Sequence, residues 1–550
     1  MTSIGTYWRT IRHLKPIQLA GRARLRLLDP APDLRPAPAP RAAAGNWVEP
    51  ARREASMLGP ARLRFLNEEH HLDECGWDDP GIDRLWRYNL HYFDDLNARE
   101  SATRLQWHTA LVERWLRENP PGRGTAWEPY PTSLRIVNWI KWFLGGAPIN
   151  DRWLHSLAVQ ARWLMRRLEW HLLGNHLFAN AKALAFAGLF FEGGEAQTWF
   201  AEGQRIVESE LREQILEDGG HFERSPMYHA LALEDVLDLM NLLAARAPMG
   251  SPVRALEAIL RERAAAMLRW LRCMSHPDGG IALFNDAAEG VAPANVELEA
   301  YAARLGVSAP QPPRDGVTVL EPSGYVRIAR GAAVALLDVA PLGPDYLLGH
   351  GHADTLSFEL SIGARRVVVN GGTSRYGVSE QRLRERGTAW HSTVQVAGAD
   401  SSEVWSGFRV GRRARPSPIR VDGWEVEGEH DGYAWLRGSP RHRRRWSMGD
   451  GEFTVEDVVA PGVHPAIARL HLAPGLALVP AEQARRWRIR DGERDLAQVQ
   501  VEVGDARESA SQYAPRFGVL LPVQTLEVVL KAGRARCRWW WAQDAHSVSD

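Results

Sequence analysis

Residues 349–360 read Gly-His-Gly-His-Ala-Asp-Thr-Leu-Ser-Phe-Glu-Leu, and from Leu356 to Ile362 apolar and polar side chains alternate without a break. That period of two marks a half-buried strand, so the stretch sets a sheet in the second half of the chain. Extended backbone carried back through 349–355 puts His350, His352 and Asp354 on one face and leaves Gly349, Gly351 and Ala353 on the other. Neighbouring imidazoles beside small residues suit proton transfer or metal ligation, because imidazole serves as base, acid or ligand near neutral pH. A hydrogen-bonded histidine pair at a strand entrance explains them equally well.

Working outward, the texture of the chain changes near residue 315. Beyond it, Val317–Leu320, Tyr325–Ile328, Ala332–Val339, Arg366–Val369 and Thr393–Val396 are short, β-branched and punctuated by glycine, which predicts an antiparallel β-sandwich reaching the C-terminus. Before it, from about 85 to 275, the periodicity is helical: Leu154, Leu157, Ala161, Leu164 and Leu168 share a face, as do Leu233, Leu237, Met240 and Ala244. About seven helices with short breaks and no fixed repeat predict antiparallel neighbours stacked pairwise, as a toroid or a solenoid. Residues 29–45 are rich in proline and alanine and read as a linker with little capacity to pack. The expected organisation is a basic segment and linker over 1–45, an (α/α) toroid over 46–312 and an antiparallel β-sheet domain over 313–550, an α+β multidomain chain.

With 550 residues the chain exceeds a single core, and its 67 lysines and arginines balance 67 aspartates and glutamates, so no bulk charge points to nucleic acid or a membrane surface. Cys75, Cys273 and Cys537 lie too far apart for a Cys-x-x-Cys site and argue against a disulfide framework. Met1 to Leu28 carries six basic residues without an uninterrupted apolar run, which excludes a Sec signal or transmembrane helix and places the expected location in the cytoplasm. The same basic amphipathic segment suits an anionic membrane surface, a solvated helix being the plainer reading. The 23 tryptophans, against 14 phenylalanines and 11 tyrosines, offer broad faces for sugar rings as well as core filling.

Four segments concentrate polar groups. Trp127-Glu128-Pro129-Tyr130-Pro131-Thr132-Ser133-Leu134-Arg135 is a rigid aromatic loop leading into a helix capped by Thr132 or Ser133. Asn175 and His176 open an otherwise apolar helix that runs through Asn180, with an N-cap as the plainer explanation of the asparagine. Asp218 to His229, including Glu223 and Tyr228, is a turn ahead of a helix whose N-terminus favours anions, though a polar cap accounts for it too. His391 begins a strand and, with His352, supplies two of the three ligands a zinc site needs.

Taken together, Trp86–Phe93, Trp127–Arg135, Gly174–His176, Ser225–His229, Gly349–Leu360 and His391–Val394 resemble, in order and spacing, the heparinase II/III-like polysaccharide lyases. The resemblance implies an (α/α) toroid followed by antiparallel sheets, and an anionic uronic-acid-containing polysaccharide or oligosaccharide as partner. It implies β-elimination, in which the C5 proton is removed and the C4–O bond breaks. Asn175 with His176 then neutralises the carboxylate, Tyr228 acts as base, acid or both, and His350 is the partner base or supports the tyrosine. Trp127, Glu128, Tyr130, Arg135, Asn180, Glu223 and Arg386 are the expected substrate contacts. His352, Asn370 and His391 match positions that hold a structural zinc in some members. Asn370 stands where the family has aspartate, however, and a neutral carbonyl oxygen is the weaker zinc donor. A uronyl C5-epimerase on the same scaffold and a noncatalytic glycan-binding protein of surface-polysaccharide assembly are the alternatives. Arg441-His442-Arg443-Arg444-Arg445 reads as a solvated sheet edge.

Overall fold

The computed structural model describes residues 4–27, 30–247, 253–308, 311 and 313–542. The expected domain boundary at 312 and the last eight residues of the predicted sheet domain lie outside the described residues, as do Met1–Ser3 and Leu28 of the basic segment.

Between residues 84 and 273 the described residues form eight α-helices. Pro129–Leu144, Gly174–Phe190 and Pro226–Arg246 are buried almost all round, whereas Asp151–Arg166, Gly193–Gln214 and Arg254–Cys273 alternate between apolar and charged faces. That is the division between inner and outer helices of a toroid: inner ones read as continuous apolar runs and outer ones as amphipathic stripes. Glycine sets one spacing. A Cβ on Gly203 would lie 2.7 Å from the Ala181 carbonyl oxygen and one on Gly188 2.5 Å from the Phe200 nitrogen, so these two helices approach closer than any other residue permits.

The tryptophans fill this core. Trp86, Trp115, Trp139, Trp153 and Trp270 are fully buried, and Trp115, Trp127 and Trp163 pack edge to face or tilted against one another. The abundance thus reports packing here, not a row of sugar platforms. The Pro/Ala stretch is also more ordered than its composition predicts: Arg41 N donates to Phe190 O at 2.7 Å, Glu192 N to Ala39 O at 2.8 Å and Ala44 N to Ala245 O at 2.9 Å. Those backbone groups strap it across the ends of two inner helices, because an extended proline-rich chain makes no internal hydrogen bonds and leaves its remaining N–H and carbonyl groups free to pair.

Downstream, nine strands form one antiparallel sheet and eight form a second. In the first, side chains alternate between two partners. Tyr325, Val334 and Leu336 pack on Trp270 and Phe284 of the helical layer, whereas Val326, Ala335 and Leu337 join the core shared with the second sheet. Phe358 meets Phe453 across that inner interface at 5.6 Å. The strand predicted from Leu356 begins at Phe358, and residues 349–357 are turns and irregular chain. Being buried on both faces, its polar Glu359 and Ser361 are spent on His276 rather than on solvent. The basic run from Arg441 is an interior strand, paired on both sides, with Arg444 buried against Asp457.

Candidate active site

The sheet domain delivers its loops to the helix ends at one mouth of the toroid. Ser225 caps the Pro226–Arg246 helix by accepting from Tyr228 N, so Tyr228 occupies the first turn. The Ser225 hydroxyl donates to the carbonyl of Asp286 at 2.5 Å, and Asp286 N donates to the carbonyl of His350 at 3.0 Å. One backbone unit thereby fixes the tyrosine and the histidine together. The His350 imidazole stacks on the Tyr228 ring, centroids 3.9 Å apart and planes 16° apart.

Around this pair the polar groups are specifically satisfied. His350 Nδ1 lies 2.5 Å from Glu223 Oε2, which assigns the Nδ1 proton to that bond and leaves Nε2 to act on a ligand. Burial raises the Glu223 carboxyl, but its close interaction with His350 outweighs burial and holds it below the usual glutamate range. Tyr228 Oη lies 3.0 Å from Tyr376 Oη; burial, with Tyr376 and Asp286 adding to it, raises the Tyr228 phenol well above its ordinary value, and burial with Asp286 raises Tyr376 likewise against the lowering effect of Arg382. Tyr228 is therefore a neutral phenol at physiological pH.

The opposite wall starts at Gly174, whose φ of +56° turns the chain into the Gly174–Phe190 helix. A Cβ there would meet Leu347 Cδ2 at 2.3 Å and Glu223 Oε1 at 3.2 Å, so the Asn175–His176 turn lies directly against the Glu223–His350 pair. Leu173, not Asn175, occupies the N-cap. Asn175 hydrogen-bonds the Tyr130 hydroxyl, and the His176 ring lies 4.4 Å from the Tyr130 ring. His176 Nδ1 is 3.1 Å from Glu169 Oε1. Burial opposes the imidazolium, but the Glu169 charge and hydrogen bond prevail and raise the His176 pKa.

The structure thus brings Asn175, His176, Tyr130, Tyr228, Glu223 and His350 together. It places other expected contacts elsewhere. Trp127 is buried with its indole bonded to Asn119 O. Arg135 is fully buried over Trp115 at 4.1 Å and donates to Gln160 and the His91 carbonyl, a packing cation rather than a substrate clamp. Asn180 is fully buried, donating to Glu169 and Ser133, and orients Glu169 without reaching a ligand. Arg386 is buried too and donates to the carbonyls of Gly351 and Leu348, bracing the loop that carries His350; burial lowers its pKa to about 9. Glu128 lies at the rim, held by Arg84 and Tyr88, and serves as the backbone N-cap of the helix predicted to start at Thr132 or Ser133.

Sequence reading missed three groups. Tyr376 closes over Tyr228, supported by Arg382 at 4.9 Å and by Phe408 and Phe517. Asn285 and Asp286 clamp the His350–His352 backbone, Asn285 at φ +55°. An Asn-Asp pair interrupting the apolar run Ile281–Phe284 is the local signal that marks such a turn.

His352, Asn370 and His391 are the residues that match a zinc site. His352 and His391 are fully buried with rings 5.3 Å apart, and both nitrogens of His391 lack partners. His352 Nε2 is spent on Asp286, 2.7 Å away, and that carboxylate is gripped by Arg382. Asn370 donates to Ser357 and accepts from Ser392 N. His352 Nδ1, like both nitrogens of His391, is buried without a hydrogen-bond partner, but among the described residues no third His, Cys, Asp or Glu joins the two imidazoles around one point, and the neutral Asn370 amide in place of a carboxylate makes this a poor donor set for zinc. Burial instead drives the pKa of His391 well down and that of His352 to about 4, leaving two neutral imidazoles.

Residues 90–303 match the family model described as Heparinase II/III N-terminus, and residues 312–541 match Heparinase II/III-like, C-terminal. A heparin-sulfate lyase of Bacteroides thetaiotaomicron is 32% identical over 147 residues, 24% of this chain and 21% of its own length. FtsZ-localized protein C of Caulobacter vibrioides is 26% identical over 404 residues, 71% of this chain and 66% of that protein. The chain therefore spans about a fifth of the first relative and under two thirds of the second. The crystal structure of heparinase III superposes with a TM-score of 0.68 at 19% identity, covering 86% of this chain and 80% of the other, a likeness of fold.

Proposed function

The chain belongs to the heparinase II/III-like family, and from that premise we propose that it is a polysaccharide lyase acting on a uronic-acid-containing glycan. The observation that carries this reading is the stacked Tyr228–His350 pair, with Glu223 behind the imidazole and a carboxylate-directed amide and imidazole on the facing wall. The chemical difficulty is the acidity of C5–H beside an anionic carboxylate, where abstraction builds a second negative charge. Asn175 and the His176 imidazolium offset that charge, and such preorganised donors commonly supply the largest share of catalysis.

His350 Nε2 takes the C5 proton while Glu223 stabilises the imidazolium that forms. The C5–H electrons become the C4=C5 double bond, the C4–O bond breaks, and the neutral Tyr228 phenol gives its proton to the departing oxygen. Its raised pKa favours this assignment over Tyr228 as the base. Proton exchange with solvent resets both groups. Incubation of the purified chain with a panel of uronic-acid polymers and oligomers tests the proposal: new ultraviolet absorbance from an unsaturated uronate is elimination. Deuterium entering C5 without cleavage identifies an epimerase instead.

A second reading is a noncatalytic glycan-binding role in surface-polysaccharide assembly, in which the same buried polar cluster is kept for recognition. Glycan binding that survives Tyr228→Phe, with no product from either form, identifies that role.

A further inference from the structure

The helix Ile4–Ile11 is attached to the molecule by its polar side. Thr6 Oγ1 donates to Glu403 Oε1 at 2.9 Å, Arg9 reaches both Glu403 oxygens at 2.7 and 2.8 Å, and Trp405 Nε1 donates to Thr10 Oγ1 at 3.0 Å. At about 100° per residue, Thr6, Arg9 and Thr10 share one face, and Ile4, Tyr7, Trp8 and Ile11 share the opposite one. Those four are 89%, 47%, 62% and 45% exposed. A helix on a water-facing surface buries its apolar stripe and shows its polar one. Here the arrangement is reversed and the salt bridge to Glu403 holds it so.

Within the two N-terminal helices themselves the charge has one sign. No acidic residue occurs from Ile4 to Leu27. Arg9 and Lys15 are paired with Glu403 and Glu213, whereas Arg12, Arg22, Arg24 and Arg26 are exposed and make no ion pair among the described residues. The helix Pro16–Leu27 adds exposed Ile17 and Leu19 beside these arginines. No helix of the described residues is long and apolar enough to cross a membrane, so any contact with a bilayer through these helices is made at its surface.

We propose that this N-terminal helix pair docks the protein on an anionic phospholipid bilayer, with Ile4, Trp8 and Ile11 entering the headgroup–acyl boundary and Arg12, Arg22, Arg24 and Arg26 facing lipid phosphates. A bilayer supplies in one surface the two things the patch lacks, apolar cover and negative charge; neither alone anchors as firmly as both. The placement bears on the active site. The hairpin of Val404–Trp405 and Arg409–Val410 packs Trp405 on Tyr7 and carries Phe408 against His350 and Tyr376, so one hairpin links the docking helix to the cleft.

The test is sedimentation of the full-length chain with vesicles of phosphatidylcholine and phosphatidylglycerol, compared with phosphatidylcholine alone. Binding to the anionic vesicles is expected, weakened about tenfold or more by high salt, by Arg22→Glu with Arg24→Glu, and by Trp8→Glu with Ile11→Glu. Circular dichroism melting of the variants, unchanged because these side chains face solvent, confirms that the fold is intact. No sedimentation with anionic vesicles overturns the proposal, as does binding that ignores the Trp8 and Ile11 changes. A wild-type dimer in light scattering that those changes dissolve, with no vesicle binding by either form, overturns it in favour of a contact between copies of this chain.

Discussion

The carbonyl and the N–H of a single residue, Asp286, hold Ser225 and His350 at 2.5 and 3.0 Å, and in doing so register Tyr228 against His350 across the junction of helical and sheet domains. The site is thus assembled by long-range backbone pairing, and its chemistry depends on how firmly that pairing is kept.

Gly174→Ala tests the tightest point of the facing wall. The left-handed backbone costs a residue with a Cβ about 1–2 kcal/mol, and the new methyl collides with Leu347 and crowds Glu223. A lower unfolding midpoint is expected together with a fall in kcat of about tenfold or more, since small displacements of catalytic groups are costly. Thermal melts and steady-state kinetics on the same preparation check both.

Glu169→Gln addresses the imidazolium of His176. Burial lowers the His176 pKa and Glu169 more than restores it, so the charged form persists above the ordinary histidine value of 6.5. If that charge offsets the substrate carboxylate, kcat/KM declines as pH rises through the raised pKa. In the variant that decline moves to lower pH, and activity at neutral pH drops about tenfold. A pH profile separates this from a structural effect, which lowers the curve without moving it.

Much of the site is legible in the sequence, because Asn175-His176 and His350 are polar residues in stretches whose neighbours do not call for them. Arg135, Asn180 and Arg386 misled for the opposite reason. Each is polar in a segment near the site, yet each is buried and spent on protein partners: Gln160 and a main-chain carbonyl for Arg135, side chains for Asn180, main-chain carbonyls for Arg386. Residue type cannot reveal such partners when they come from distant segments. Tyr376 was invisible for the same reason, its partner Tyr228 lying in the helical domain. The helical and sheet halves were readable because periodicity is local; the packing of the proline-rich strap was not.

Acid stability follows from buried carboxylates. Burial raises the Asp95 carboxyl, but hydrogen bonds from His108, Met57 N and Arg104, with the Arg104 charge, bring it down to about 2 from 3.8. A depressed carboxylate binds its proton more weakly folded than unfolded, so its contribution is complete above pH 3.8 and is lost as pH falls toward 2. That contribution is about 2 kcal/mol. Asp95→Asn is expected to lower the stability at neutral pH and to flatten its fall between these limits, measured by urea unfolding at a series of pH values.

Zinc content is the fourth check. Because Asn370 is engaged by Ser357 and Ser392 and Asp286 by Arg382, less than about a tenth of an equivalent is expected in protein purified without chelator. Elemental analysis measures it; one equivalent per chain, lost together with stability on chelation, contradicts the reading of the donor set.

The most direct measurement is the initial rate of unsaturated-uronate formation by the wild-type chain and by Tyr228→Phe on whichever uronic-acid glycan in the panel is cleaved. A measurable wild-type rate is expected that falls about 100-fold or more in the variant, with substrate binding largely kept and only about 1 kcal/mol of stability lost with the Tyr376 hydrogen bond. Undiminished elimination by Tyr228→Phe, or no unsaturated product from the wild type on any member of the panel, contradicts the proposed elimination.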